Sequence, residues 1–169
     1  MYFVVPPAES VPRLLSPVRT PFPVILRSVL RLALFVSTLA VAVAQSSLVF
    51  SPPAGVAAKG KHVVLLSGDE EYRSEEALPM LAKILSQRHG FKATVLFALD
   101  ADGTINPDNQ KSLPGSEALD SADVIILALR FRNWPDADMK RFEAAYKRGV
   151  PMIALRTSTH PFNFPATSP

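Results

Sequence analysis

The chain has 169 residues, no cysteine, and 18 Lys+Arg against 15 Asp+Glu, a formal charge of +3. The missing cysteine excludes a disulfide scaffold, a thiolate metal site, a lipid-modified cysteine and any cysteine nucleophile. The positive balance sits in residues 1–44, which hold Arg13, Arg19, Arg27 and Arg31 against Glu9, leaving fourteen basic and fourteen acidic side chains for the remainder; without a net basic face, no nucleic-acid partner is expected.

Residues 1–31 contain six prolines and cannot build a helix or sheet of any length. LALFVSTLAVAVA, residues 32–44, follows without a charge and closes on Ala42-Val43-Ala44. A basic n-region, an apolar h-region and a small-x-small end read as an export signal cleaved after Ala44. The alternative is a membrane anchor at 32–44, but a crossing needs about 20 apolar residues and the run is shorter. The chain is therefore expected to be exported, periplasmic or extracellular, with any membrane contact made through this segment if it is uncleaved.

Residues 45–60, QSSLVFSPPAGVAAKG, read as a linker of small residues and prolines. HVVLLSG, residues 62–68, is a short apolar run closed by glycine, the pattern of a strand buried on both faces of a parallel sheet. The spacing of Leu78, Leu81, Ala82 and Leu85 predicts an amphipathic helix over 77–88, capped by Gly90 and starting near Glu76 so that Pro79 falls in its first turn. FKATVLFAL, residues 91–99, predicts a second strand. DADGTINPDNQKSLPGSEAL is a polar connection, with helix expected only near 115–119. ADVIILAL, residues 122–129, predicts a third strand, and RFRNW then leads to Pro135 at a helix start with Asp136 and Asp138 in the positive first turn. Met139, Phe142 and Tyr146 form the expected buried stripe, and Gly149 the cap. VPMIAL, residues 150–155, predicts a fourth strand.

Continuously apolar strands alternating with helices predict an α/β open parallel sheet with helices on both faces. In such sheets ligands bind off the carboxyl ends of the strands. Three loops then carry the polar candidates.

The first, SGDEEYRSEE, lacks both G-x-G-x-x-G and a Walker pattern, and no cofactor is expected there. Asp69 and Glu70 could bind hydroxyls or serve as a base, or could merely gather at a helix N-terminus. In the second, Arg130 and Arg132 point the same way along an extended segment, either toward an anion or toward the acids of the first loop, and pairing is the preferred reading. The third holds Arg156, Thr157, Ser158, Thr159 and His160. Ser158 lacks the flanking glycines of a nucleophile elbow, and His160 with Asp69 or Glu70 does not match a recognised metal-ligand spacing. No metal is expected.

From Lys61 to Phe164 the pattern, HVVLLSGDEEYRSEEALPMLAKILSQRHGF through LPGSEALDSADVIILALRFRNWPDADMKRFEAAYKRGVPMIALRTSTHPFNF, resembles the N-terminal part of a ThuA-like domain. That trehalose-utilisation family is related to the class I glutamine amidotransferase fold. The resemblance implies a flavodoxin-like sheet, a link to carbohydrate utilisation and a chain that stops short of the later elements of such domains. In the amidotransferase relatives the last of these strands ends in a G-x-C-x-G-x-Q elbow. Laid over this chain, it puts Arg156 at the cysteine, Ser158 at the second glycine and His160 at the glutamine. Arginine is no nucleophile, so glutamine hydrolysis by that route is not expected. The expected site is a small polar ligand, a carbohydrate, bound by Asp69, Glu70, Arg130, Arg156 and Ser158, with His160 placed to move a proton in a hydrolase-like or sugar-processing step. The alternative is a non-catalytic domain, or a fragment without function, in which these groups only pair with one another.

Overall fold

A computed structural model describes residues 46–168. Export signal and anchor, the two readings of residues 32–44, both lie outside the described residues, among which no helix is long and apolar enough to cross a membrane.

Five strands form one sheet: β1 Ser47–Phe50, β2 His62–Gly68, β3 Lys92–Leu96, β4 Val124–Leu129 and β5 Met152–Ala154. Their spatial order is β1-β3-β2-β4-β5. The four later strands are parallel to one another, and β1 pairs antiparallel with β3, with Ser47 opposite Leu96 and Phe50 opposite Ala93. The chain thus runs outward from β2 to β3, then crosses back to β4 on the other side of β2. The winding reverses between β2 and β4, and it is off the carboxyl ends of such strands that open α/β sheets hold ligands.

The two central strands are apolar without alternation because both faces are covered. Val64 and Leu66 of β2, with Ile125, Leu127 and Leu129 of β4, pack on one face with Leu113, Leu119, Trp134 and Ala145. Val63 and Leu65, with Ala93 and Val95 of β3, pack on the other against Leu78 and Ala82. The second face is covered by helix α1, Ser74–His89, and the first by a 3-10 helix, Ser116–Ser121, and helix α2, Asp136–Lys147. The expected α/β open sheet with helices on both faces is the architecture found.

Four local expectations are corrected. The segment 45–60 is not all linker, since Ser47–Phe50 completes the sheet on the outer edge of β3; a four-residue strand flanked by prolines carries too short a pattern to read. Helix α1 begins at Ser74, which moves Pro79 into its second turn and leaves the Glu75 carbonyl without its usual helical donor. Tyr146 is 68 % exposed, and Ala145 takes the buried position of α2. β5 is short and at the sheet edge, with Ile153 half-exposed, so only the central strands have the two-sided burial expected of all four.

At the amino end of β2 the imidazole of His62 is buried, with Nε2 2.8 Å from Thr94 Oγ1 and Nδ1 3.0 Å from Ser121 Oγ. Burial, and then the nearby Lys92 ammonium, push its pKa below the ordinary value of 6.5. A proton therefore binds the unfolded chain first as the pH falls. Stability from neutral His62 is full above about pH 6.5 and is lost on acidification. Thermal unfolding followed by circular dichroism is expected to show the advantage of the wild type over His62→Gln shrinking between about pH 7 and about pH 5; an advantage that does not change with pH would refute this assignment.

Candidate functional site

β2 delivers Gly68 and then a tight acidic loop. Asp69 is 2 % exposed. Its Oδ1 accepts the backbone N–H groups of Glu71 at 3.0 Å and Tyr72 at 3.3 Å, the Asx geometry that lets one carboxylate fold the residues following it. Its Oδ2 accepts the hydroxyl of Thr157 from the third loop. Ser74, opening α1, is buried and accepts the Asp69 N–H at 2.9 Å while lying 2.9 Å from Ser67 Oγ. Asp69 is thus committed to building the loop and to joining it to the turn after β5.

β4 delivers Arg130 and Arg132. Glu70 Oε1 accepts from Arg130 Nη1 at 2.5 Å, and Glu70 Oε2 from Arg132 Nη2 at 3.2 Å. Arg130 also lies 3.5 Å from Glu71. Hydrogen bonding to Glu70 raises the Arg130 pKa further above its ordinary value. The pairing reading of these arginines is the one the geometry shows, so Glu70 and Arg130 face one another before they face a ligand. Among the described residues Arg130 Nε is buried without a partner.

Arg132 is wholly buried. Its Nε donates to the Arg130 carbonyl at 2.6 Å, and Nη1 donates to the carbonyls of Pro107 at 2.8 Å and Asn109 at 3.3 Å. Burial pulls its pKa down, against the attraction of Glu70 and Asp69. Its stem explains Gly68: a Cβ there would stand 2.9 Å from Arg132 Cδ and 3.2 Å from Leu129 Cδ2. The glycine is needed for that close approach.

β5 ends at Ala154, and a 3-10 helix, Arg156–Thr159, follows at once. Ser158 is buried, donates to the Leu127 carbonyl at 3.0 Å and accepts the Leu129 N–H at 2.9 Å. Its hydroxyl braces the end of β4, with its donor and one acceptor lone pair spent inside the protein. Arg156 and His160 stay on the exposed rim. The Arg156 guanidinium lies over the Tyr72 ring at 3.9 Å, and His160 Nδ1 lies 3.2 Å from Thr159 Oγ1 with its ring 5.1 Å from that of Phe131. Tyr72, Arg156, Thr157, Thr159 and His160 line a shallow cavity of about 310 Å³.

Three non-glycine residues among those described have positive φ, and each stands in one of these loops: Arg73 at 52°, Phe131 at 55° and Arg156 at 43°. Left-handed backbone costs such residues about 1 kcal/mol or more each and is tolerated where surrounding contacts enforce it. Arg156 occupies the strained strand-to-helix turn on which elbow enzymes mount a nucleophile.

The structure therefore brings Asp69, Glu70, Arg130, Arg156, Ser158 and His160 to one edge of the sheet, but only Arg156 and His160 line the cavity. Tyr72, Thr157 and Thr159, absent from the expected set, complete it. Tyr72 follows three acids in a loop, and nothing in its spacing announces that it supports an arginine 84 positions later. Among the described residues no three carboxylate or imidazole groups converge on a point fit for a metal ion. No family model, curated protein or solved structure matches the chain.

Replacing Arg132 by leucine removes four hydrogen bonds and strips Glu70 of one partner while Arg130 remains. The expected loss is about 3 kcal/mol in denaturant unfolding, at the lower end for a broken buried pair; a loss under about 1 kcal/mol would show the network to be dispensable. Ser158→Ala leaves the Leu127 carbonyl and the Leu129 N–H unpaired, and the unfolding free energy is expected to fall by about 1–3 kcal/mol.

Proposed function

We propose that this chain is a ThuA-like domain, exported and linked to carbohydrate utilisation, that binds a small polar ligand at the carboxyl edge of its sheet. The observation that carries the reading is the gathering of every left-handed non-glycine residue among those described into the three loops at that edge. Local strain concentrated at one rim of an otherwise regular sheet is the usual mark of a site whose geometry is enforced for a purpose. The cavity among the loops after β2 and β5 also lies at the carboxyl edge, where open α/β sheets hold ligands.

Arg156 and His160 are the ligand-facing groups in this reading, with Asp69 and Thr157 holding the two loops in register. His160 supplies the imidazole of the cavity. Covalent catalysis through the elbow is set aside, since position 156 carries a guanidinium and the chain has no cysteine. The second reading, a domain whose polar edge is purely architectural, draws on the Glu70–Arg130–Arg132 pairing and the Ser158 brace.

The two readings separate in the full chain with Arg156→Ala and His160→Ala. Neither side chain is buried; alanine keeps the left-handed backbone of position 156 and loses only an exposed stacking contact. Unfolding free energies are expected within about 0.5 kcal/mol of wild type. Saturation binding of a panel of mono- and disaccharides, followed by calorimetry, is expected to weaken in both variants. Stability losses above about 2 kcal/mol with unchanged binding would transfer the site to the architectural reading.

A further inference from the structure

The cavity after β5 is unbalanced in its hydrogen-bonding chemistry. Each carboxylate of the acidic loop and the first turn of α1 already has a donor. Asp69 takes two backbone N–H groups and the Thr157 hydroxyl. Glu70 takes Arg130 and Arg132, and Glu71 faces Arg130. Glu75 and Glu76 are both held by Arg73. Against this, Arg156 makes no ion pair among the described residues, and its one polar engagement is the Tyr72 ring beneath its plane. Stacking on that ring leaves the in-plane N–H groups directed sideways, available to an acceptor at the rim. His160 is exposed, and with Nδ1 beside the Thr159 hydroxyl its Nε2 carries no partner among the described residues.

A neutral sugar presents hydroxyls that both donate and accept, and it is ordinarily met by carboxylates as well as donors. Here no carboxylate lines the cavity, the unpartnered Oε2 of Glu75 lying outside it, while the donors of Arg156 and His160 face it. A carboxylate or phosphate reverses that demand: it brings only acceptors and one or two negative charges, which match a guanidinium fork far better than a hydroxyl does.

Resting on the carboxyl-edge reading above, we propose that the ligand is an anionic sugar, a hexuronate or a sugar phosphate, whose oxyanion is gripped by Arg156 and His160 while Tyr72 keeps the guanidinium in place. Tyr72 is then a positioning residue, since its ring is already covered by Arg156. The exposed setting makes the grip sensitive to ionic strength, because charges at a rim are screened over about 10 Å at 0.1 M salt.

The test uses the full chain labelled with 15N and titrated separately with D-glucuronate, glucose 6-phosphate, inorganic phosphate and glucose. Glucuronate or glucose 6-phosphate is expected to shift the resonances of residues 156–160 and of the Arg156 Nε–H group, with glucose binding at least about 10-fold more weakly. Arg156→Ala is expected to cut affinity for the anionic sugar about 10-fold or more, Arg156→Lys to restore part of it, and Tyr72→Leu to weaken it less than Arg156→Ala. The wild-type titration stands by itself if a variant fails to fold. Glucose binding as tightly as glucuronate would overturn the anionic reading and leave the carbohydrate site standing. Inorganic phosphate matching glucose 6-phosphate would keep the oxyanion grip and remove the sugar from it. No shift in these loops with any of the four would overturn both readings.

Discussion

The carboxyl edge of this sheet is organised by one buried cation. Arg132 lies beneath the rim with its guanidinium shared among the carbonyls of Pro107 and Asn109, the Glu70 carboxylate and, through Nε, the carbonyl of Arg130. Those partners belong to the loop after β2, the long connection after β3 and the loop after β4. An unpaired charge in that position would be prohibitively costly, so the three segments can depart from it only together. Gly68 exists to let the arginine stem pass. The cation thus ties three loops into a single shelf.

Upon that shelf the chemistry divides into spent and unspent groups. Asp69, Glu70, Arg130 and Ser158 have the residue types of a binding site, yet their bonds run inward. Asp69 bends its own loop and reaches Thr157, and Ser158 ties off the end of β4. Among the described residues Arg156 and His160 make no ion pair; Arg156 rests on the Tyr72 ring and His160 on the Thr159 hydroxyl. The turn after β5 has left-handed backbone at Arg156, as strand-to-helix nucleophile turns do, but it presents a guanidinium, which can hold charge and cannot attack.

The same distinction marks the opposite end of the sheet. His62 is placed where Thr94 and Ser121 satisfy both ring nitrogens, and burial disfavours its cation. A histidine satisfied on both sides by hydroxyls serves the fold, whereas His160 at the rim has one ring nitrogen without a partner among the described residues. Residue type alone does not separate these two histidines; only their neighbours do.

The order of strands and helices was legible from residues 62 onward because two-sided burial makes a strand continuously apolar and one-sided burial gives a helix its stripe. HVVLLSG matched its strand residue for residue, and Gly90 and Gly149 marked the helix ends through the left-handed backbone that glycine adopts most easily. Ser47–Phe50 was not legible, because an edge strand owes its existence to the partner beside it. Nor could spacing tell which charged groups would be consumed: Glu70 and Arg132 are 62 positions apart and Asp69 and Thr157 are 88 apart. The sequence by itself determined an open α/β sheet with its polar loops at one edge, since local periodicity and turn chemistry are carried by near neighbours. Only the tertiary structure decided that, among the described residues, Arg156 and His160 stay without an ion pair there, because hydrogen-bond satisfaction is settled between residues that the chain brings together from far apart.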